Sequence, residues 1–358
     1  MNRLRIGVAG IGNISGIYLK NLSGMFSRRV QLAAVTDIIE DRAAAAAKDY
    51  GVRHIKTIDD MARDDGIDVI LNITQPRFHH AVAMKAVTGG KHIYNEKPLC
   101  TTQAEAADLL RTAAANGTRV GGAPDTFLGA GIQTCRKLID DGWIGRPIAA
   151  SAFMLCHGHE SWHPAPAFYY QRGGGPMFDM GPYYLTALVN LLGPVKRVSG
   201  SAQKSFETRT ITSEPLNGTV IDVEVPTHIA GVLDFASGAV GTIITSFDVW
   251  SSSMPKIEIY GSEGSLQVPD PNTFGGPVYL RRHNDSVWRE MPLTGSFGEN
   301  SRGLGITDMC EGIAENRPHR ASGELCRHVL DIMHGIHDAS ASGKYCLLES
   351  ACEKPALL

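Results

Sequence analysis

No apolar run in this chain approaches the roughly 20 residues that a helix needs to cross a bilayer, which excludes a membrane span. There is no basic excess either. Lys and Arg number 34 against 37 Asp and Glu, for a net charge of -3, which argues against a nucleic-acid partner. No C-x-x-C pair occurs among the seven cysteines, Cys100, Cys135, Cys156, Cys310, Cys326, Cys346 and Cys352. An odd, scattered set fits reduced thiols in the cytoplasm and not a disulfide framework. The opening residues up to Ser15 are too short in their apolar part and too rich in glycine for a signal peptide, so the N-x-T triplets at Asn116 and Asn217 carry no weight. There is no internal repeat, and the alanine run Ala43 to Ala47 is simply good helix sequence.

What is present is a long chain with a large apolar fraction. The 358 residues, 43 % of them apolar, exceed what one core ordinarily organises and point to two domains, 1–124 and 125–358, with the C-terminal helix open to packing back towards the first. Short apolar runs alternate with helical stretches through the first of these. Strands are expected over Leu4–Ala9, Val30–Thr36, Asp68–Thr74, Lys91–Asn95 and Arg119–Gly122. Helices are expected over Ile17–Leu22, Glu40–Tyr50, about His79–Thr88 and Thr102–Asn116. Strands separated by helices imply a parallel sheet covered on both faces. Past residue 190 the pattern changes to the short runs Thr227–Phe235, Ala239–Phe247, Ile257–Tyr260 and Ser265–Val268. These read as an antiparallel sheet, with Ser237-Gly238 as a hairpin turn and a late helix over Gly323–Ala341.

The first strand runs directly into Gly10-Ile11-Gly12-Asn13-Ile14-Ser15, a G-x-G-x-x-S turn that opens a helix. Gly10 permits the tight turn, Gly12 lets the backbone approach a pyrophosphate, and Ser15 is small enough for close helix–strand packing. The helix N-terminus offers N–H donors to phosphate. Asp37 ends the next strand, placed to accept from ribose hydroxyls. A carboxylate there repels a 2′-phosphate, and no Lys or Arg follows until Arg42, so NAD is favoured over NADP.

Asn95-Glu96-Lys97-Pro98-Leu99 follows the fourth strand, on the edge where the strand carboxyl ends lie. With the glycine turn, the Pro76–Ala81 segment, Gly142–Pro147 and Gly173-Gly174-Gly175 with Asp179-Met180-Gly181, it resembles the Gfo/Idh/MocA family (glucose–fructose oxidoreductase, inositol dehydrogenase and relatives). The resemblance covers residues 1 to about 190 well. It implies an α/β protein, with an N-terminal Rossmann doubly wound parallel sheet and a C-terminal α+β domain whose sheet is open and mainly antiparallel. It also implies a cis Lys97–Pro98 bond, and dimer or tetramer contacts through the C-terminal sheet.

The site residues follow from pattern and resemblance together. Cofactor contacts fall to Gly10, Gly12, Asn13, Ile14, Asp37, Thr74 and Glu96. Lys97 would stabilise alkoxide charge at the reacting carbon or move its proton. Asp179 would contact the substrate, or else cap a helix beginning there. The family's D-x-G-x-H pattern has Tyr183 in place of histidine; four residues from Asp179, it shares that helix face and is the candidate proton-transfer group. Asp125 either binds a substrate hydroxyl or caps the following helix. Trp162 and His163, in Cys156–His163, are candidates for a sugar-binding wall; the His-x-His there could suggest metal, but ligation would need a defined geometry and a ligand from another element, the family does not require metal, and none is expected. His80 carries a structural or cofactor-side role.

These features imply a cytoplasmic, NAD-dependent oxidoreductase acting on a sugar, cyclitol or related polyol, assembled as a homodimer or homotetramer. Two alternatives stay open. One is an enzyme that keeps and recycles its cofactor, as in sugar transhydrogenation or oxidation-assisted glycoside cleavage. The other is a protein that senses NAD without chemistry.

Overall fold

The structure, a computed structural model, describes residues 3–358. Its contacts divide into two compact units. One is the chain up to Leu128 with Glu299–Leu330; the other is Gly129–Gly298 with Asp331–Leu358.

In the first unit, strands β1 (Arg5–Ala9), β2 (Gln31–Thr36), β3 (Arg53–His54), β4 (Val69–Asn72), β5 (His92–Asn95) and β6 (Val120–Gly122) alternate with helices. The helices are α1 (Ser15–Ser23), α2 (Glu40–Tyr50), α3 (Ile58–Arg63), α4 (His79–Thr88) and α5 (Gln103–Ala115). The strand order is β3-β2-β1-β4-β5-β6 and every pair is parallel. Strands of this kind are covered on both faces, and Val69, Ile70 and Leu71 of β4 are fully buried. Each such side chain contributes roughly 1.5–3 kcal/mol. The order reverses between β1 and β4, which opens a crevice at the strand carboxyl ends. β3 and α3 are additional to the elements expected from the sequence. β3 is two residues long, and α3 is six, set by Thr57 accepting from the Asp60 N–H at 3.1 Å.

The second unit begins with α6 (Ala130–Asp140), β7 (Pro147–Leu155) and α7 (Gly175–Leu192). It continues through β8 (Val195–Gln203), β9 (Thr208–Thr210), β10 (Val220–Asp222), β11 (His228–Phe235), β12 (Val240–Ser246), β13 (Ile257–Gly261), β14 (Gly264–Val268), β15 (Val278–Arg282) and β16 (Arg289–Met291). β9 and β10 form a separate hairpin. A nine-stranded sheet runs β16-β15-β14-β13-β7-β12-β11-β8-β17, with β17 at Cys346–Leu347. Its pairs are antiparallel except β7 with β12. The expected hairpin joins β11 and β12, with Gly238 at φ 90°. Helix α7 starts four residues before Asp179, because Pro176 suits the first turn; Asp179 is therefore not an N-cap.

Two helices complete the chain, α8 (Leu304–Ala314) and α9 (Gly323–Ser342); the division between units falls within α9. A single cut near residue 124 is thus too simple, since Glu299–Leu330 belongs with the Rossmann sheet. Gly122 N–H donates to Ala321 O at 3.1 Å and Gly121 bridges Ser322. Asp125, 1 % exposed, accepts from the N–H groups of Gly303 (2.9 Å) and Gly305 (3.0 Å). It caps α8, a helix 178 residues on, and not the helix that follows it.

Burial pushes the Asp125 carboxyl up to about 6 from 3.8, against two N–H bonds and Arg302 that favour the anion. A folded value above the unfolded one gives stability that is full below about pH 4 and lost as pH rises through about 6. The difference is worth about 3 kcal/mol. Asp125→Asn keeps an acceptor for both glycines and removes the titration. Urea unfolding between about pH 4 and 7 should show a component of falling stability that the variant lacks; identical slopes would refute the assignment.

Candidate active site

At the end of β1 the chain turns through Gly10 at φ 99°, a left-handed conformation, and a Cβ there would lie 2.9 Å from the Ile73 and Thr74 backbone. Gly12 meets nothing within 4 Å of a Cβ, so its face is open. The two glycines border a groove of about 770 Å³ that also takes in Thr36, Asp37, Ile38 and Thr74. A side chain at Gly12 would fill the space that a pyrophosphate needs, so the turn fits a dinucleotide. Asp37 supports the turn as well as the groove: its Oδ2 accepts from the Ile11 N–H at 2.5 Å and its Oδ1 from the Ile39 N–H at 2.7 Å. Ile38 is 96 % exposed on the groove wall. Asn13 and Ile14 are exposed at the α1 entrance. Arg42, Lys56, Arg77 and Lys85 also line the groove, and Lys85 is paired with Asp59 at 2.6 Å.

The turn after β5 is held from three sides. Glu96, 8 % exposed, accepts from Tyr18 Oη at 2.7 Å and from the Lys97 N–H at 2.8 Å. Asn95 Nδ2 donates to Leu99 O at 2.9 Å. His79 Nδ1 lies 2.7 Å from Pro98 O and its Nε2 lies 3.0 Å from Thr74 O. Lys97–Pro98 is cis, as the resemblance implies. Lys97 is half-buried. Immediately beyond, Thr102 and Glu105 form a capping box that starts α5. His79 is fully buried, while its neighbour His80 pairs with Asp108 at 3.1 Å. One helical position rotates a side chain by about 100°, and pattern alone did not choose between the two.

In the second unit, the segment after β7 forms a polar and aromatic cluster. His159 Nε2 is 3.1 Å from Asp179 Oδ2 on α7. Its ring meets Tyr169, Phe247 and Trp162 edge-on at 4.0, 4.7 and 5.1 Å. Trp162 is 61 % exposed, while His163 Nδ1 accepts from the Ala165 N–H at 3.0 Å. Burial pushes His163 below the usual histidine range. Beneath this layer Arg209 on β9 bonds Glu160 at 3.0 Å, Phe247 O at 3.0 Å, and Asp248. Glu160 also accepts from Tyr170 Oη. Gly158 is at φ 73°, and a Cβ there would lie 2.1 Å from both Glu160 Oε2 and Tyr170 Oη. His157 stacks on Trp250 at 3.4 Å. The His-x-His pair is therefore split between two environments, and among the described residues no group of His, Cys, Asp or Glu is arranged to hold a metal.

The first unit thus gathers Gly10, Gly12, Asp37 and Thr74 on one groove, with Glu96 and Lys97 on the adjoining turn. The second gathers Asp179, Trp162 and His163 around His159. Tyr183, one turn beyond Asp179, is 7 % exposed; its neighbour Tyr184 is fully buried, which pushes its phenol well above the usual range. The sequence reading missed His79, His159 and Arg209. Only His159 carried a signal, as the second histidine of His-x-His.

A parallel sheet in this order, with a glycine turn at its switch point, defines a dinucleotide-binding Rossmann fold. The family model described as "Oxidoreductase family, NAD-binding Rossmann fold" matches residues 4–122, and that of the GFO/IDH/MocA C-terminal domain matches 132–267. The chain belongs to the Gfo/Idh/MocA oxidoreductase family. It is 25 % identical over 257 residues to D-xylose dehydrogenase of Paenarthrobacter nicotinovorans, covering 67 % of this chain and 63 % of that one. It is 31 % identical over 155 residues to inositol 2-dehydrogenase of Salmonella typhimurium, covering 40 % and 44 %. The matches therefore span less than two thirds of either relative. An NAD binding oxidoreductase from Klebsiella pneumoniae shares the fold, with a TM-score of 0.84 at 22 % identity over 97 % of this chain and 99 % of that one.

The Asp37 carboxylate sets the expected cofactor preference. At an effective dielectric of about 20, two unit charges about 4 Å apart repel by about 4 kcal/mol before salt screens them. Fluorescence titration should show NAD bound at least roughly tenfold more tightly than NADP, with Asp37→Ser narrowing the gap. Equal affinities in the unaltered protein would mean that Arg42, Lys56 and Arg77 outweigh the carboxylate.

Proposed function

We propose that this protein is an NAD-dependent dehydrogenase that oxidises a secondary alcohol or lactol of a sugar, cyclitol or related polyol. The observation that carries the reading is Lys97. A half-buried ammonium is placed at the carboxyl end of β5, on a turn fixed through Glu96, Asn95 and His79. Burying such a charge is costly, and holding it so firmly suits a group that must meet a developing alkoxide. NAD, when bound, supplies the hydride acceptor at the nicotinamide.

Lys97 hydrogen-bonds the oxygen on the reacting carbon and stabilises its negative charge as the proton leaves. Asp179 accepts from a substrate hydroxyl. Tyr183 serves as a proton-transfer group, since a phenol can take and return a proton. Trp162 offers an exposed ring face for sugar C–H groups, and His163 a ring edge for a hydroxyl. The names of the relatives, a D-xylose dehydrogenase and an inositol 2-dehydrogenase, support a polyhydroxylated substrate.

The protein is proposed to act in the cytoplasm; among the described residues no helix is long and apolar enough to cross a membrane. A homodimer or homotetramer would form through the nine-stranded sheet. Half-buried Phe153, Val232 and Ile244 alternate with the buried set on its strands. A polar ladder also crosses it, from Ser151 to Tyr260 (2.9 Å), Tyr260 to Glu258 (2.8 Å) and Gln267 to Glu258 (2.9 Å).

A panel of sugars and cyclitols, followed by NADH absorbance, tests the reading. At least one should be turned over, and Lys97→Ala should lower kcat by roughly 10²-fold or more with NAD affinity nearly unchanged. Full activity in Lys97→Ala would end the proposal. Tyr183→Phe should lower kcat by about one to two orders of magnitude, with NAD binding retained. If Tyr184→Phe loses activity and Tyr183→Phe does not, the proton-transfer role belongs elsewhere on α7.

A further inference from the structure

We propose that His159 is a positioning residue that orients the Asp179 carboxylate for the substrate hydroxyl. This rests on the reading that Asp179 meets the substrate. Nothing in the sequence pattern assigned His159 this part.

His159 and Asp179 are 3.1 Å apart, with side chains 10 % and 15 % exposed. An ionised carboxylate only accepts, so the contact requires a proton on His159 Nε2. A neutral imidazole has one N–H, which leaves Nδ1 as a bare acceptor. Nδ1 is buried and, among the described residues, has no hydrogen-bond partner. Around the ring stand the edges of Tyr169, Phe247 and Trp162. A buried polar atom without a partner loses its hydration with nothing in return. Leucine would fill such a cage without that cost. What histidine adds is the Nε2–H directed at Asp179.

The ring is anchored on both sides. Before it, Gly158 takes a left-handed turn that leaves room for the Glu160–Tyr170 pair. After it, the Glu160 carboxylate is bound by Arg209, and its carbonyl accepts from the N–H groups of Thr212 and Ser213, both at 2.9 Å. Glu160 and Arg209 are themselves buried. The donor is thus mounted on a framework that lets it move little, as an orienting group must be. Each carboxylate oxygen accepts more than one hydrogen bond, so the His159 bond fixes the plane of Asp179 without exhausting its capacity.

The test compares His159→Leu, which fills the cage and loses the donor, with His159→Gln, whose amide reaches toward the Nε2 position. Kinetics use NAD and the polyol turned over best by the unaltered protein. His159→Leu should lose on the order of 10²-fold in kcat, the scale of a misplaced reacting group, with polyol KM and NAD affinity within about threefold. His159→Gln should recover about tenfold of that loss. ¹⁵N NMR of the ring should show the Nε2–H tautomer in the unaltered protein and lose that preference in Asp179→Leu. The proposal is overturned if His159→Leu keeps kcat within about twofold. It is equally overturned if a folded His159→Gln, judged by thermal unfolding, is no better than His159→Leu, or if the ring carries its proton on Nδ1. Absence of turnover with every polyol would sink the substrate reading instead, and the tautomer would still decide whether the pair exists.

Discussion

A buried amide pair ties together the turns that form the chemical end of the first unit. Asn72 ends β4 and Asn95 ends β5, both are fully buried, and Asn72 Nδ2 donates to Asn95 Oδ1 at 3.0 Å. Asn72 also donates to His79 O at 3.2 Å and accepts from Thr74 Oγ1 at 2.7 Å, while Asn95 reaches on to Leu99 O. His79 then bridges the same two turns through Thr74 O and Pro98 O. Both of its ring nitrogens face carbonyls, an arrangement only an imidazolium satisfies fully, while burial pushes the ring below its usual range. Leaving any of these polar groups unpaired in the core would cost about 1–3 kcal/mol. The placement of Glu96 and Lys97 follows from that network more than from the strand that precedes them.

The second unit solves a similar problem with charge. Arg209 is a buried cation shared by Glu160 and Asp248. Removing one member of such a set typically costs 3–5 kcal/mol, because the remaining charge is stranded. Its effect is local: it fastens the segment carrying His157, His159 and Trp162 to the β9–β10 hairpin and the end of β12. Asp179 comes from α7, a separate element, so the cluster assembles only when helix, sheet and hairpin have all packed.

Legibility varied with the range of the interaction. Gly10, Gly12 and Asp37 could be read because their tasks concern the backbone within one β–α–β stretch, and the parallel sheet followed from alternation alone. Asp125 shows the opposite case. Its type and place admitted a substrate contact or a local cap, and its actual partners lie 178 residues away on α8. His79 and His80 are neighbours of identical type, and a single helical step separates the one that bridges two turns from the one that pairs with Asp108. Arg209 carries no local signal, because its carboxylate partners come from two other segments.

Residue pattern carried the dinucleotide-binding architecture, the parallel pairing of its strands, the glycine turn, the lysine after β5 and the change to a mainly antiparallel sheet. All of these rest on contacts local in the chain or on apolar periodicity, which is written residue by residue. Packing settled how much of the chain returns to the first unit, Glu299–Leu330, that Asp125 caps α8, and that His159 stands against Asp179. Those outcomes depend on which buried donors and acceptors meet across long sequence separations. Residue types state what a side chain can accept or donate, and packing alone settles from whom.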